Sequence, residues 1–383
     1  MGFFDLFGKK KALSYNEVRE LILDKELQKL KKIPVESFYT RHRSGDTPAY
    51  FAAEKGHKEC LQIIAERAPE TLKTQNRDGA IPAFIAAEKG FRDFLEIIAE
   101  KAPDSLKIQT EHGVTPGATS AYVAAEKGQR ECLEFIVKKL PETLNIPDYD
   151  GRTPAYVSAD KGQKECLKFI FENAPDTLKN PNKDGKTPAY VASEKGQREC
   201  LEFIFEKAPD TLKTPDNDGK TPAYIAAEKG QRECLEFIFE KAPDTLKTPD
   251  KDGKTPAYIA SEKGKRECLE FIFENAHDSL KTPDKDGKTP AYIASEKGKR
   301  ECLEFIFEKE PDTIKSQDNT GATPAFIAAE KGQRECLQFI FEKAPDTLKI
   351  ENNRGATPLS VATLENNKEC IDIIEKCLGV GDE

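Results

Sequence analysis

Apolar residues recur along most of the chain in two short helical rhythms separated by a turn. The stretch from Gly219 to Asp252, GKTPAYIAAEKGQRECLEFIFEKAPDTLKTPDKD, shows the pattern most clearly. Thr-Pro places Pro222 in a first helical turn, where its missing N–H costs nothing. AYIAAEK continues a short helix with small Ala residues on the face nearest a neighbour, and Gly230 ends it in left-handed geometry. A second helix then runs through RECLEFIFEK. Its spacing puts Cys234, Leu235, Ile238 and Phe239 on one side and Arg232, Glu236 and Glu240 on the other. Ala242-Pro243 closes that helix, because the residue before Pro is pushed out of helical geometry. Leu246 returns to the core, and P-D-x-D-G forms an exposed turn into the next Thr-Pro.

Ten such units open at Thr47, Ile81, Thr119, Thr153, Thr187, Thr221, Thr255, Thr289, Thr323 and Thr357. Every step is 34 residues except the second, which is 38 because the third unit enters through EHGVTPGATSAY. At 383 residues a globular chain would form two or three domains; internal repetition replaces that expectation with an array of stacked units. The predicted class is all-α: a solenoid of helix–loop–helix units with short turn fingers.

The flanks differ from the repeat. Residues 1–12 form an apolar-then-basic tail, with Phe3, Phe4, Leu6 and Phe7 ahead of Lys9–Lys11. Leu6 stands where a myristoylation signal needs Ser or Thr. The tail is read as a loose or back-folded segment, with a membrane or partner tether through Phe3, Phe4 and Phe7 as the alternative. Residues 13–46 align without gaps as a degenerate capping repeat: Leu27, Leu30, Phe38 and Gly45 fall in the repeat's Leu, Ile, Leu and Gly columns, and Ser14 with Glu17 makes a capping box. The ten repeats occupy 47–378, the last serving as a C-terminal cap, and 379–383 is a tail.

Charge changes the picture little. The net charge is −9, with 33% charged and 37% hydrophobic residues. The 219–252 unit alone carries six Lys/Arg and seven acids, so the surface is evenly and mildly acidic. That excludes a nucleic-acid groove, which needs a clustered basic face. No segment has the length of apolar residues that spans a bilayer, FFDLF is too short and too polar at Asp5 for a secretory signal, and membrane contact is confined to residues 2–11. Ten cysteines raise the question of disulfides or metal. Cys132, Cys166, Cys200, Cys234, Cys268, Cys302, Cys336 and Cys370 lie 34 residues apart, with Cys60 in phase. Equivalent residues of stacked helices lie roughly 8–10 Å apart, beyond the reach of about 7 Å for a bridge. They read as small core residues, unbridged as in a reducing, cytoplasmic compartment.

The helix–loop–helix–turn with T-P-x-x-x-A-A-x-x-G resembles the ankyrin repeat over roughly residues 43–378; TPLSVATLENNKECIDII in the last unit is nearest the family's T-P-L-H-x-A. The family's His is replaced by Tyr50, Phe84, Tyr122, Tyr156, Tyr190, Tyr224, Tyr258, Tyr292 and Phe326, so aromatic packing is expected to substitute for the hydrogen bonds around it. The Gly after the second helix becomes Ala-Pro. The resemblance implies a non-catalytic scaffold holding a protein partner on the concave and finger surface.

Candidate chemistry is sparse. D-x-D-G in the fingers lacks the Gly and Glu positions of a calcium loop, and acids before Gly are ordinary turn chemistry. The four His are scattered without a nucleophile–base pairing or a phosphate loop; no enzyme activity, cofactor or metal is expected. Two places are candidates for partner contact. One is the elongated finger, with His112, Val114 and Thr115. The other is a basic column just after the finger glycines, Arg152, Lys186, Lys220, Lys254 and Lys288, which the neighbouring Asp residues could equally neutralise. Glu-Lys pairs recur at the end of each first helix, and stacking is expected to join them across repeats. The leading reading is a non-enzymatic protein-interaction scaffold. The alternatives are a structural spacer or self-assembling rod tethered by its tail, and a secreted host-directed ankyrin effector.

Overall fold

The computed structural model describes residues 11–111, 115 and 117–379. Among them are 22 α-helices and ten short 3-10 turns, with no strand. They pack as two compact units, Met1–Pro188 and Ala189–Glu383.

Within the second unit the 219–252 repeat shows how the sequence builds each layer. The Thr221 side chain accepts a hydrogen bond from the Tyr224 amide at 3.2 Å and caps the helix Pro222–Lys229. Gly230 stops that helix at φ 77°. The second helix, Arg232–Lys241, buries Cys234, Leu235, Phe237 and Ile238. Ala242, at φ −146°, then passes the chain to the 3-10 turn Pro243–Lys247, which buries Thr245 and Leu246. The Thr245 hydroxyl donates to the Ala242 carbonyl at 2.7 Å and closes this turn.

One part of the helical pattern differs from the periodic reading. Phe237 is buried at 6% exposure, whereas Phe239, assigned to the apolar stripe, is only half-buried. The cause is a perpendicular aromatic ladder between neighbouring second helices. Phe205–Phe237, Phe239–Phe271, Phe273–Phe305 and Phe307–Phe339 meet with centroids 5.6–5.9 Å apart and planes at 84–88°.

Fingers stack by backbone. The Lys251 amide donates to the Asp218 carbonyl at 2.9 Å, and Lys285 to Asp252 at 3.0 Å. A Cβ on Gly253, which stands at φ 86°, would sit 2.9 Å from the Lys285 nitrogen, so the close approach requires Gly there.

The first unit holds the same layers and a different start. Ser14 and Glu17 exchange both hydrogen bonds of a capping box ahead of the helix Tyr15–Leu23. Val18, Ile22, Leu30 and Phe38 are fully buried.

Candidate binding surface

The recurrent Tyr, Asp and Cys of the repeats are taken up by stacking. Tyr190, Tyr224, Tyr258 and Tyr292 are buried at 1–4% exposure, each facing an aspartate of the following finger: Asp216, Asp250, Asp284 and Asp318. Burial first, then the carboxylate's charge and the hydrogen bond to it, pushes each tyrosine hydroxyl far above its ordinary range. Tyr122 and Asp148 do the same in the first unit. Each carboxylate also organises its own finger. Asp250 Oδ1 accepts from the Asp252 and Lys254 amides, both at 2.9 Å. The expectation that packing alone replaces the family's His is therefore corrected: the tyrosine hydroxyl supplies a hydrogen-bond donor. A sequence signal for this exists. Asp148, Asp216, Asp250, Asp284 and Asp318 each follow a Tyr, whereas Phe84 and Phe326, which lack the hydroxyl, are followed by Thr110 and Asn352; the signal is partial, because Tyr50 and Tyr156 are followed by Asn76 and Asn182.

The buried thiols are likewise structural. Cys60, Cys132, Cys166, Cys268 and Cys370 are pushed up to about 11, and Cys234, Cys302 and Cys336 to about 12, chiefly by desolvation. All ten cysteines are free, and only Cys377 is partly exposed. Among the described residues no group of three or more His, Cys, Asp or Glu is placed to hold a metal ion.

The candidate contact residues lie on the fingers and first helices, although the second helices also expose residues such as Glu233, Glu240 and Lys241. The basic column is engaged within its own fingers. Arg152 Nε reaches Asp148 at 2.7 Å and its Nη2 reaches Asp150 at 3.1 Å. Lys220, Lys254 and Lys288 pair with Asp218, Asp252 and Asp286 at 3.4, 3.6 and 3.9 Å. Lys254 and Lys288 also lie over the Tyr258 and Tyr292 rings, and Lys186 too has interactions of its own.

The Glu-Lys column departs from expectation. Lys229, Lys263, Lys297 and Lys331 pair with the preceding glutamate of the same helix, at 2.7–3.5 Å. Lys127–Glu88, at 3.4 Å, crosses between repeats.

The elongated finger keeps a normal base. The Thr110 amide donates to the Ala118 carbonyl at 3.0 Å, and Gly117 donates back to Thr110 at 2.7 Å. Gln109 Nε2 holds the Gly117 and Pro147 carbonyls at 2.7 and 2.9 Å. The Thr115 carbonyl accepts from the Thr110 hydroxyl at 2.6 Å. His112 and Val114 lie outside the described residues, as do Phe3, Phe4 and Phe7.

A further feature was not read from the sequence. In the second unit a groove of about 730 Å³ opens among Tyr292, Ala322, Phe326, Arg354, Val361 and Leu364. Its signal was present in the columns: Ser360 stands where other repeats carry Tyr or Phe, and Leu364 where they carry Glu or, once, Asp160.

Capped first helices, left-handed stops, buried second helices and stacked fingers define an ankyrin array. The family model for ankyrin repeats in sets of three copies matches residues 105–210, 176–249, 242–318 and 310–379. The chain belongs to the ankyrin-repeat family, whose arrays are protein-interaction modules and typically non-enzymatic. No curated protein matches the chain. No helix among the described residues is long and apolar enough to cross a membrane.

Proposed function

We propose that the protein is a non-enzymatic scaffold that holds a protein partner on its finger and first-helix face, in a reducing cytoplasmic compartment. The observation that carries this is the division of labour within the repeat. Its recurrent Tyr, Asp and Cys are buried in stacking, while the variable positions lie on the fingers. The elongated finger, with His112, Val114 and Thr115, is the leading contact. Its extra residues spring from a base pinned by Gln109, Thr110 and Gly117, and loops on a rigid base are where binding residues concentrate.

Arg152 and Lys186 in the first unit, and Lys220, Lys254 and Lys288 in the second, are secondary contacts for an acidic partner. The exposed pairs of Lys220, Lys254 and Lys288 with Asp218, Asp252 and Asp286 are worth only about 0–1 kcal/mol each, so a stronger carboxylate array can displace them, whereas Arg152 stays held by the buried Asp148. Crosslinking pull-down from the native cell, with the full chain as bait, tests the reading. Deleting residues 112–115 restores the ordinary finger length, and capture of the principal crosslinked protein should fall at least tenfold. Undiminished capture by that variant would remove the elongated finger from the proposal.

A further inference from the structure

The departures from the repeat converge on the groove of the second unit. Ala322 and Ala356 stand in the column of Lys220, Lys254 and Lys288, so its finger wall has lost the lysines. Arg354 replaces the second finger acid, represented elsewhere by Asp218, Asp252 and Asp286. Ser360 removes the ring that would fill the space. Leu364 replaces the glutamate of the first-helix column and is 80% exposed.

A terminal capping unit calls for polar residues on its water-facing side, and Leu364 runs against that requirement. Arg354 makes no ion pair among the described residues, unlike Lys220, Lys254 and Lys288, which meet finger acids. One wall of the groove therefore offers a guanidinium free of carboxylate, and the other an exposed leucine above Val361 and Phe326. The chemistry that complements both is a carboxylate set between large apolar side chains. Glu365, on the rim beyond Leu364, adds a place for a following cation.

The chain carries one segment of this composition outside its described residues: Phe3-Phe4-Asp5-Leu6-Phe7, followed by Lys9–Lys11. We propose that the groove receives residues 3–7 of a second copy of this chain. Asp5 meets Arg354, the flanking Phe and Leu side chains cover Leu364 and the groove floor, and the lysines run toward Glu365. Donor segment and acceptor groove are different surfaces, so the contact is heterologous and joins copies head to tail. This inference does not depend on the elongated finger or the basic column.

The test uses the full chain and a fluorescently labelled peptide of residues 1–12. Anisotropy titration should show saturable binding, weakened at least tenfold by Asp5→Lys in the peptide. Leu364→Glu and Arg354→Asp in the chain should weaken it equally. Both place the residue of the middle repeats in its own column, so folding is preserved, which circular dichroism checks. Sedimentation velocity should show wild-type mass rising with concentration and Leu364→Glu staying monomeric. Absence of peptide binding, binding indifferent to Asp5→Lys or Leu364→Glu, or a concentration-independent wild-type monomer would each overturn the proposal. The pull-down with the 112–115 deletion leaves this groove intact, so failure of either reading is separable from failure of the other.

Discussion

Tyr224 and Asp250 show what a single residue pair does in this array. The hydroxyl sits in a buried site and the carboxylate is only 9% exposed, yet Asp250 also anchors two finger amides. Tyr224→Phe removes one donor from a buried charge, at a cost of about 1.5–3 kcal/mol. The natural Phe326–Asn352 combination points to the rescue. Asn352 Oδ1 still accepts from the Arg354 and Ala356 amides at 3.0 Å without carrying charge. Tyr224→Phe combined with Asp250→Asn should therefore recover much of the loss in urea denaturation. A double variant no more stable than the single would show that the hydroxyl–carboxylate contact contributes little.

At the scale of the element, the stop of each first helix and the thiol that opens each second helix make separate predictions. Gly230 stands at φ 77°, and the equivalent position in the last repeat is Asn366 at φ 58°. Gly230→Ala should cost about 1 kcal/mol, whereas Gly230→Asn, which tolerates the left-handed region, should cost less. Thermal midpoints of the two variants read the difference, and equal losses would contradict the backbone argument. The thiols bear on pH. Their folded values, about 11 to 12, lie above the ordinary value of 9.0. Folding thus favours the neutral thiol, and that stabilisation is whole below pH 9 and fades as pH rises toward 11–12. Denaturant midpoints should fall across that window, and Cys234→Ala should fall less steeply. Below it, Cys377 should react with a thiol reagent well before the buried nine.

On the whole-molecule scale, near-identical layers make the array modular. Removing residues 221–254 joins Lys220 to Thr255 and leaves the 34-residue register unbroken. The shortened chain should keep its helicity per residue and lose denaturation midpoint, because stability sums over repeats and their interfaces. Loss of cooperative unfolding would show that this repeat is not interchangeable with its neighbours. The elongated finger and the groove around Leu364 are where one layer ceases to copy another, and the two proposed contacts are placed there.

The sequence by itself determined the all-helical class and the ankyrin family. It also determined the helix stops at Gly, the Pro-led starts and the burial of the cysteines. All of these follow from local backbone preference and from a pattern restated in every repeat. Only the tertiary structure decided which atoms meet between layers. Phe237 is buried because Phe205 of the preceding layer lies across it, something helical periodicity within one repeat cannot register. The Tyr–Asp contacts join residues of successive fingers and helices, and the groove arises only when Ala322, Arg354, Ser360 and Leu364 are brought around one space. Periodicity speaks for a residue's own helix, while stacking is a relation between helices.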